Sequence, residues 1–410
     1  MKLRVLLLGF VFFSISIKSF AGQFVLLNEQ DIQAVKASIA GDSASKVVKD
    51  EYKRLLKSAD KLLNAPNYTV VDKTIIPPGA TANDFVSISS QYWPNDSNPT
   101  GFPWVKKPGE TNPDTKTDKV DRGRINDMAR AVYALSQAYY LSGKEEYAVK
   151  ASTMIKVWFL ANKTRMTPHL QYAQTIPGDD KRSSSGVMDG RLIPYHILDS
   201  INLIRNSEHW SERFDSVMDQ WFTRYLEYLT GSKMGHNAAK KKDRNGSWYH
   251  FQTVALAWYL GDNKTLKRQL KSAKGKMKEQ FGSNGGLVKE LGRSSSFKDS
   301  CFSLEGLTGI AVIAEKSGNK FWDLPSKKKS SIAKGINYLI PASLDGNWTD
   351  SDESIDVASC VIAFDRYAKY SNSSEVTSAV DTLIAELVDK DKRSSDEKRV
   401  VSRYSLLKQQ

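Results

Sequence analysis

Beyond residue 120, apolar side chains recur at spacings of three and four through most of the chain. Ile125, Met128, Ala129, Val132, Leu135, Ala138 and Tyr139 share one face of a helix over 125–141, which Ser142-Gly143 ends. A second pattern over 145–159 carries Tyr147, Ala151, Ile155 and Trp158. The device recurs downstream: a helix over 248–260 stops at Gly261-Asp262-Asn263 before another over 266–281, and one over 304–316 stops at Ser317-Gly318-Asn319 before Phe321-Trp322. The stretches 192–205 and 214–229 have the same periodicity. Helix pairs repeated over about 250 residues predict a solenoid or a ring of hairpins, and the irregular interval between turns, about 55 to 120 residues, disfavours short-period helical arrays. The long connections favour an all-α, incomplete (α/α) toroid of helix hairpins with cleft-lining loops.

Two regions break the helical pattern. Residues 67–121 are rich in Pro, Gly, Asn and Thr and carry Tyr92-Trp93-Pro94 and Phe102-Pro103-Trp104. A long loop with aromatics inside a compact domain is usually a lid or binding wall, so Trp93 is a candidate binding residue. Residues 161–190 hold Pro168, Pro177 and a Ser-rich stretch. Residues 22–375 read as the toroid domain and 376–410 as a charged, peripheral C-terminal helix or tail.

The N-terminus adds an address. Lys2 and Arg4 precede an apolar run from Val5 to Ile17, and Ser19-Phe20-Ala21 ends in a small residue. The run is too short to span a bilayer and fits a signal peptide over 1–21, cleaved near Ala21. Its removal takes Lys2, Arg4 and Lys18 and no acid, leaving 56 basic and 46 acidic residues, a net charge of +10. No later apolar stretch is long enough to anchor, so the expectation is a periplasmic or secreted monomer without a membrane anchor. A cationic exported protein points to polyanionic company, and without RRM, helix-turn-helix or zinc-finger signatures nucleic acid gives way to acidic polysaccharide. Cys301 and Cys360 lack metal-site and redox spacing and read as two small buried thiols, with one bridge as the alternative.

No P-loop, G-x-G-x-x-G, G-x-S-x-G or H-E-x-x-H occurs, and no cofactor or metal is implied. His196 reads as structural and His209 as solvated, whereas His169, His236 and His250 are candidate acid/base or substrate contacts. Five blocks then fall in order: Asp84-Phe85-Val86-Ser87 with Tyr92-Trp93-Pro94 and Gly109-Glu110-Thr111-Asn112-Pro113; Thr164-Arg165-Met166-Thr167-Pro168 with Tyr172-Ala173-Gln174 and Ile176-Pro177-Gly178; Gly246-Ser247-Trp248-Tyr249; Glu290-Leu291-Gly292-Arg293; and Phe302-Ser303-Leu304-Glu305-Gly306-Leu307. Together they resemble the alginate lyase superfamily, exported α/α-toroid polysaccharide lyases, over roughly residues 80–345.

The resemblance implies β-elimination on a uronic acid polymer. Such a reaction needs groups that neutralise the carboxylate, a base for the C5 proton and an acid for the leaving oxygen. Arg293 matches the family's arginine. Asn245 stands where the family has His, Arg244 where it has the adjoining Asn, with Asn237 as a substitute, and Asp299 where it has the catalytic Tyr. Tyr249 and His236 are candidate replacements for the proton-transfer pair. Tyr172, Gln174, Arg191, His250 and Trp248 are candidate sugar contacts. Two alternatives stay open: a glycoside hydrolase on the same toroid, using carboxylates such as Asp299, Asp189 or Glu290, and a catalytically silent polyanion-binding or export protein.

Overall fold

The structure, a computed structural model, describes residues 23–108, 110–182, 184–323, 331–350, 355–390 and 392–407. The expected signal peptide over 1–21 and Gly109 of the first block lie outside the described residues.

Hairpins of helices dominate. The chain begins with α1 (Glu29–Ala40) and α2 (Lys46–Leu63), then passes through β1 (Val86–Ile88), β2 (Tyr92–Trp93) and β3 (Val105–Lys106). Next come α3 (Arg122–Ser142) and α4 (Glu145–Ile155), followed by β4 (Tyr172–Ile176) and β5 (Asp179–Arg182). A π-helical turn, Ile193–Ile197, runs into α5 (Leu198–Ile204), and then follow α6 (Glu212–Gly231), α7 (Lys233–Ala239) and α8 (Arg244–Tyr259). The series ends with α9 (Asn263–Met277), α10 (Val288–Leu291), α11 (Ser296–Lys316), α12 (Ile332–Asp345), α13 (Ala358–Ser371), α14 (Ser374–Asp389) and α15 (Ser395–Leu406).

The helix stops anticipated at Gly143, Gly261 and Gly318 are each a glycine at positive φ, 73°, 66° and 72°, the left-handed conformation that lets a chain leave a helix and reverse. Contacts run from α3 to α5, from the turn before α5 to α8, then α8 to α11, α11 to α13, and α13 to α15. These helices form the inner ring, and α4, α6, α9, α12 and α14 pack outside it. The apolar core is continuous from Val25 to Leu407. The fold is an α/α toroid, as the periodicity predicts.

Several elements depart from the sequence reading. The helix expected over 304–316 begins earlier, with α11 starting at Ser296, because Phe297, Ser300, Cys301 and Leu304 all fall on its buried face. Cys301 and Cys360 are not free thiols; they form a disulfide joining α11 to α13, with Cα atoms 4.6 Å apart. The C-terminal segment is no peripheral tail. Helix α15 packs on α2, α13 and α14, its N-terminus fixed by a capping box at Ser394 and Glu397. The region over 67–121 is largely loop, with β1 pairing parallel to β4, β4 antiparallel to β5, and β2 with β3 in a separate hairpin. Asp189 ties these parts together, accepting hydrogen bonds from Ser87, Arg122 (3.1 Å) and Gln174 (3.3 Å). Among the described residues, no helix is long and apolar enough to cross a membrane, and no group of three or more His, Cys, Asp or Glu is placed to hold a metal ion.

Candidate active site

The N-terminus of α8 sets the site. Asp243 caps it, accepting from the N–H of Asn245 at 3.0 Å and of Gly246 at 3.4 Å, which places Arg244 and Asn245 in the first helical turn. The segment before it must pass very close, since a Cβ on Gly246 would lie 2.2 Å from the Lys241 carbonyl oxygen. The carboxylate of Glu290, carried by α10, accepts the Arg244 N–H. Glu290 is 1% exposed, its second carboxylate oxygen has no hydrogen-bond partner, and burial pushes its pKa up to about 7.

Asp299, in the first turn of α11, closes the cluster. Arg244 pairs directly with it, and the Arg293 Nε lies 3.7 Å from its other oxygen, at ion-pair distance and beyond a hydrogen bond. Arg293 also reaches Asp243 at 3.6 Å. Two guanidiniums, two aspartates and the Asn245 amide therefore meet where the N-termini of α8 and α11 converge, and the positive ends of both helices favour an anion there.

Below this cluster lies a cleft of about 310 Å³ inside the ring of inner helices. Arg244 and Trp248, four residues apart, line it from α8, while Asp299, Phe302 and Glu305 line it from α11. Arg191 and Tyr195 face them, Arg130 enters from α3, Lys298 sits at the rim, and α15 contributes Asp396 and Arg399. The Arg191 guanidinium lies 5.5 Å from the Phe302 ring centroid and donates to the Met188 carbonyl at 3.0 Å. At the floor Glu305 accepts from the Tyr195 hydroxyl and pairs with Arg399 at 3.3 Å.

The structure brings Arg244, Asn245, Arg293 and Asp299 together and places Arg191 and Trp248 on the cleft wall. Trp248 is 2% exposed and donates its indole N–H to the Phe302 carbonyl at 2.9 Å, so it is wall rather than platform. Other candidates lie elsewhere. Tyr249 points into the core, its hydroxyl donating to the Leu229 carbonyl at 3.1 Å and its pKa pushed up to about 12 by burial. His250 is also core, with burial lowering its pKa to about 4. Both follow from helix geometry: successive positions point about 100° apart, so only Arg244 and Trp248 share the cleft face. His236 and Asn237 sit on exposed positions of α7, which residues 240–243 join to α8. Tyr172 donates to the Gly79 carbonyl and packs on Val86, Ile88 and Val120. Gln174, at φ 51°, is held by Ser185 and Asp189, and Trp93 sits on the β2–β3 hairpin with Lys107 5.2 Å from its ring. His169 pairs with Asp84 at 3.1 Å.

Sequence reading missed Arg130, Tyr195, Lys298 and the capping role of Asp243. A signal existed for two of them: Tyr195 is one helical turn from Arg191, and Lys298 adjoins Asp299. Arg399 had none, since nothing local marks where a distant helix will dock.

The chain matches the alginate lyase family over residues 69–349. An alginate lyase structure from Bacteroides ovatus is similar, with 26% identity, a TM-score of 0.82, and 93% of this chain and 99% of that one covered. Alginate lyase A1-III from Sphingomonas species A1 shares the fold at 12% identity and a TM-score of 0.55, over 84% of this chain and 88% of that one. A variant of A1-III complexed with a tetrasaccharide gives a TM-score of 0.56 at 13% identity, with the same coverage. No curated protein matches.

Proposed function

This chain belongs to the alginate lyase family of polysaccharide lyases, and on that premise we propose that it is an exported enzyme cleaving a uronic acid polymer, alginate or a close analogue, by β-elimination. The observation that carries the reading is the meeting of Arg244, Asn245, Arg293 and Asp299 at the mouth of an arginine-rich cleft. Export is supported by the N-terminal signal pattern and by the buried Cys301–Cys360 disulfide, a bond that persists in oxidising compartments.

The chemistry follows from charge. A uronate C5–H resists removal while the attached carboxylate is ionised, because the new negative charge would develop beside an existing one. Two guanidiniums and an amide on that carboxylate stabilise the developing charge. The substrate carboxylate competes with Asp299 for Arg244 and Arg293, and Asp299 then turns toward C5. Its carboxylate takes the C5 proton, the electron pair forms the C4–C5 double bond, and the C4–O bond breaks. The departing oxygen takes the proton back from Asp299. One residue thus serves as base and then acid, in the position where the family resemblance puts its tyrosine. Glu290 stays out of reach of substrate and acts by holding the Arg244 backbone.

A panel of polymannuronate, polyguluronate, glucuronan, hyaluronan and pectate tests this reading, with unsaturated product detected by mass. We expect one polymer to yield products carrying the double bond, and Arg244→Ala to lower the rate by about 10²- to 10³-fold, the usual loss for one charge-stabilising donor. Products without the double bond would make the chain a hydrolase and overturn the proposal.

A further inference from the structure

Helix α15 closes the inner ring against α2, but between α15 and α3 the seam encloses a second cavity of about 300 Å³, at the lower end of ligand pockets, which span about 300–1,000 Å³. Arg130, Tyr195, His196, Asp396 and Arg399 line both this cavity and the cleft, so the two spaces adjoin along shared walls.

Five cationic side chains, Arg54, Arg130, Lys398, Arg399 and Arg403, line the seam against two acids, Glu51 and Asp396. Glu51 is engaged by Arg54 and Arg393, and Asp396 by Arg399. Arg130, Lys398 and Arg403 line the same space and make no ion pair and no side-chain hydrogen bond among the described residues. The Arg403 Nε is buried without a partner. Burial opposes its charge, while the nearby Asp365 and Glu305 carboxylates favour it, and Arg403 stays cationic. His196 adds no charge, since burial and the surrounding arginines hold its pKa well below the usual range. Arg130 and Lys398 are exposed and Arg403 is half-buried, so their N–H donors are open to an oxyanion, which would gain charge-assisted hydrogen bonds from them.

We propose that the seam cavity is a further subsite for the carboxylate of a uronic acid residue, reached by the same sugar chain that occupies the cleft and passes Arg130 and Arg399. The proposal rests on the reading of the substrate as a uronic acid polymer. Shared walls favour that occupant over a separate small anion.

Calorimetric titration with uronate oligomers, from dimers to hexamers, tests it by affinity rather than turnover. Wild-type affinity should climb with length beyond what the cleft accommodates. Arg403→Gln should erase roughly tenfold of that climb and Lys398→Gln roughly threefold, with dimer affinity kept. Carboxyl-reduced oligomers should show no climb. Because the Arg403 Nε is buried, the Arg403→Gln variant is checked for folding by circular dichroism, and exposed Lys398 carries the test if it does not fold. Retention of the full length dependence in Lys398→Gln would overturn the proposal, as would protection by inorganic sulfate with no length dependence in the wild type. If no polymer is cleaved yet the variants lose the length increment, the subsite stands and the catalytic reading falls. If cleavage occurs and the increment is untouched, the reverse holds.

Discussion

Arg244, in the first turn of α8, and Arg293, in the turn between α10 and α11, both approach Asp299, and that convergence sets these residues apart from candidates that lie in the core. Tyr249 is a good catalytic candidate by chemistry and adjacency, but its hydroxyl is spent on the Leu229 carbonyl inside the core. Tyr249→Phe should therefore leave turnover within about twofold while lowering stability by about 1 kcal/mol, the usual value of one hydrogen bond, readable by denaturant titration. A larger fall in turnover with unchanged stability would place Tyr249 in the reaction. Asp299→Asn should remove nearly all turnover while keeping the fold, because the amide preserves shape and loses only the proton carrier. The matched motif blocks located this cluster in the sequence. What they did not reveal is which neighbours turn inward, since that depends on where α8 begins, a boundary set by the Asp243 cap and the close passage at Gly246.

At the scale of elements, hydrophobic spacing reads well and docking does not. The left-handed glycines at 143, 261 and 318 mark hairpin turns because a glycine accepts positive φ and stops a helix in one residue. The start of α11 lies ahead of the expected 304, in a stretch where serines rather than apolar residues fill the buried positions 296, 300 and 303 and so leave no hydrophobic period. Gly246→Ala must displace the Lys241 backbone, moving the Arg244 turn away from Asp299. It should lower kcat on the cleaved polymer by more than tenfold, an effect absent from Gly275→Ala, where no atom lies within 4 Å. The disulfide joins α11 and α13 just behind Asp299 and Phe302. Replacing both cysteines with serine should cost about 3–4 kcal/mol, since a long loop is released in the unfolded chain, and a melt in the presence and absence of reductant measures it.

For the whole molecule, the toroid presents cationic side chains from five segments of the chain, Arg130, Arg191, Arg244, Lys298 and Arg399, to one central space, in line with the acidic polymer to which an overall basic composition pointed. The docking of α15, outside residues 69–349, is what composition and periodicity could not place, because a charged amphipathic helix looks the same whether it packs or projects. Titration of the buried carboxylate Glu290 acts at this scale too. Its folded pKa of about 7 lies above the ordinary 4.5, so the folded state binds the proton more tightly and its contribution declines as pH rises through that interval. Glu290→Gln should accordingly gain stability relative to wild type between about pH 5 and about pH 8, and a melting temperature difference that does not widen would contradict the assignment. The central claim, elimination directed by the arginine cluster, is tested most directly by ultraviolet absorbance of the residue 22–410 protein acting on polyuronates. The account predicts a rise on at least one polymer that Arg293→Ala abolishes. New reducing ends without absorbance, or a rise that Arg293→Ala leaves intact, would contradict it.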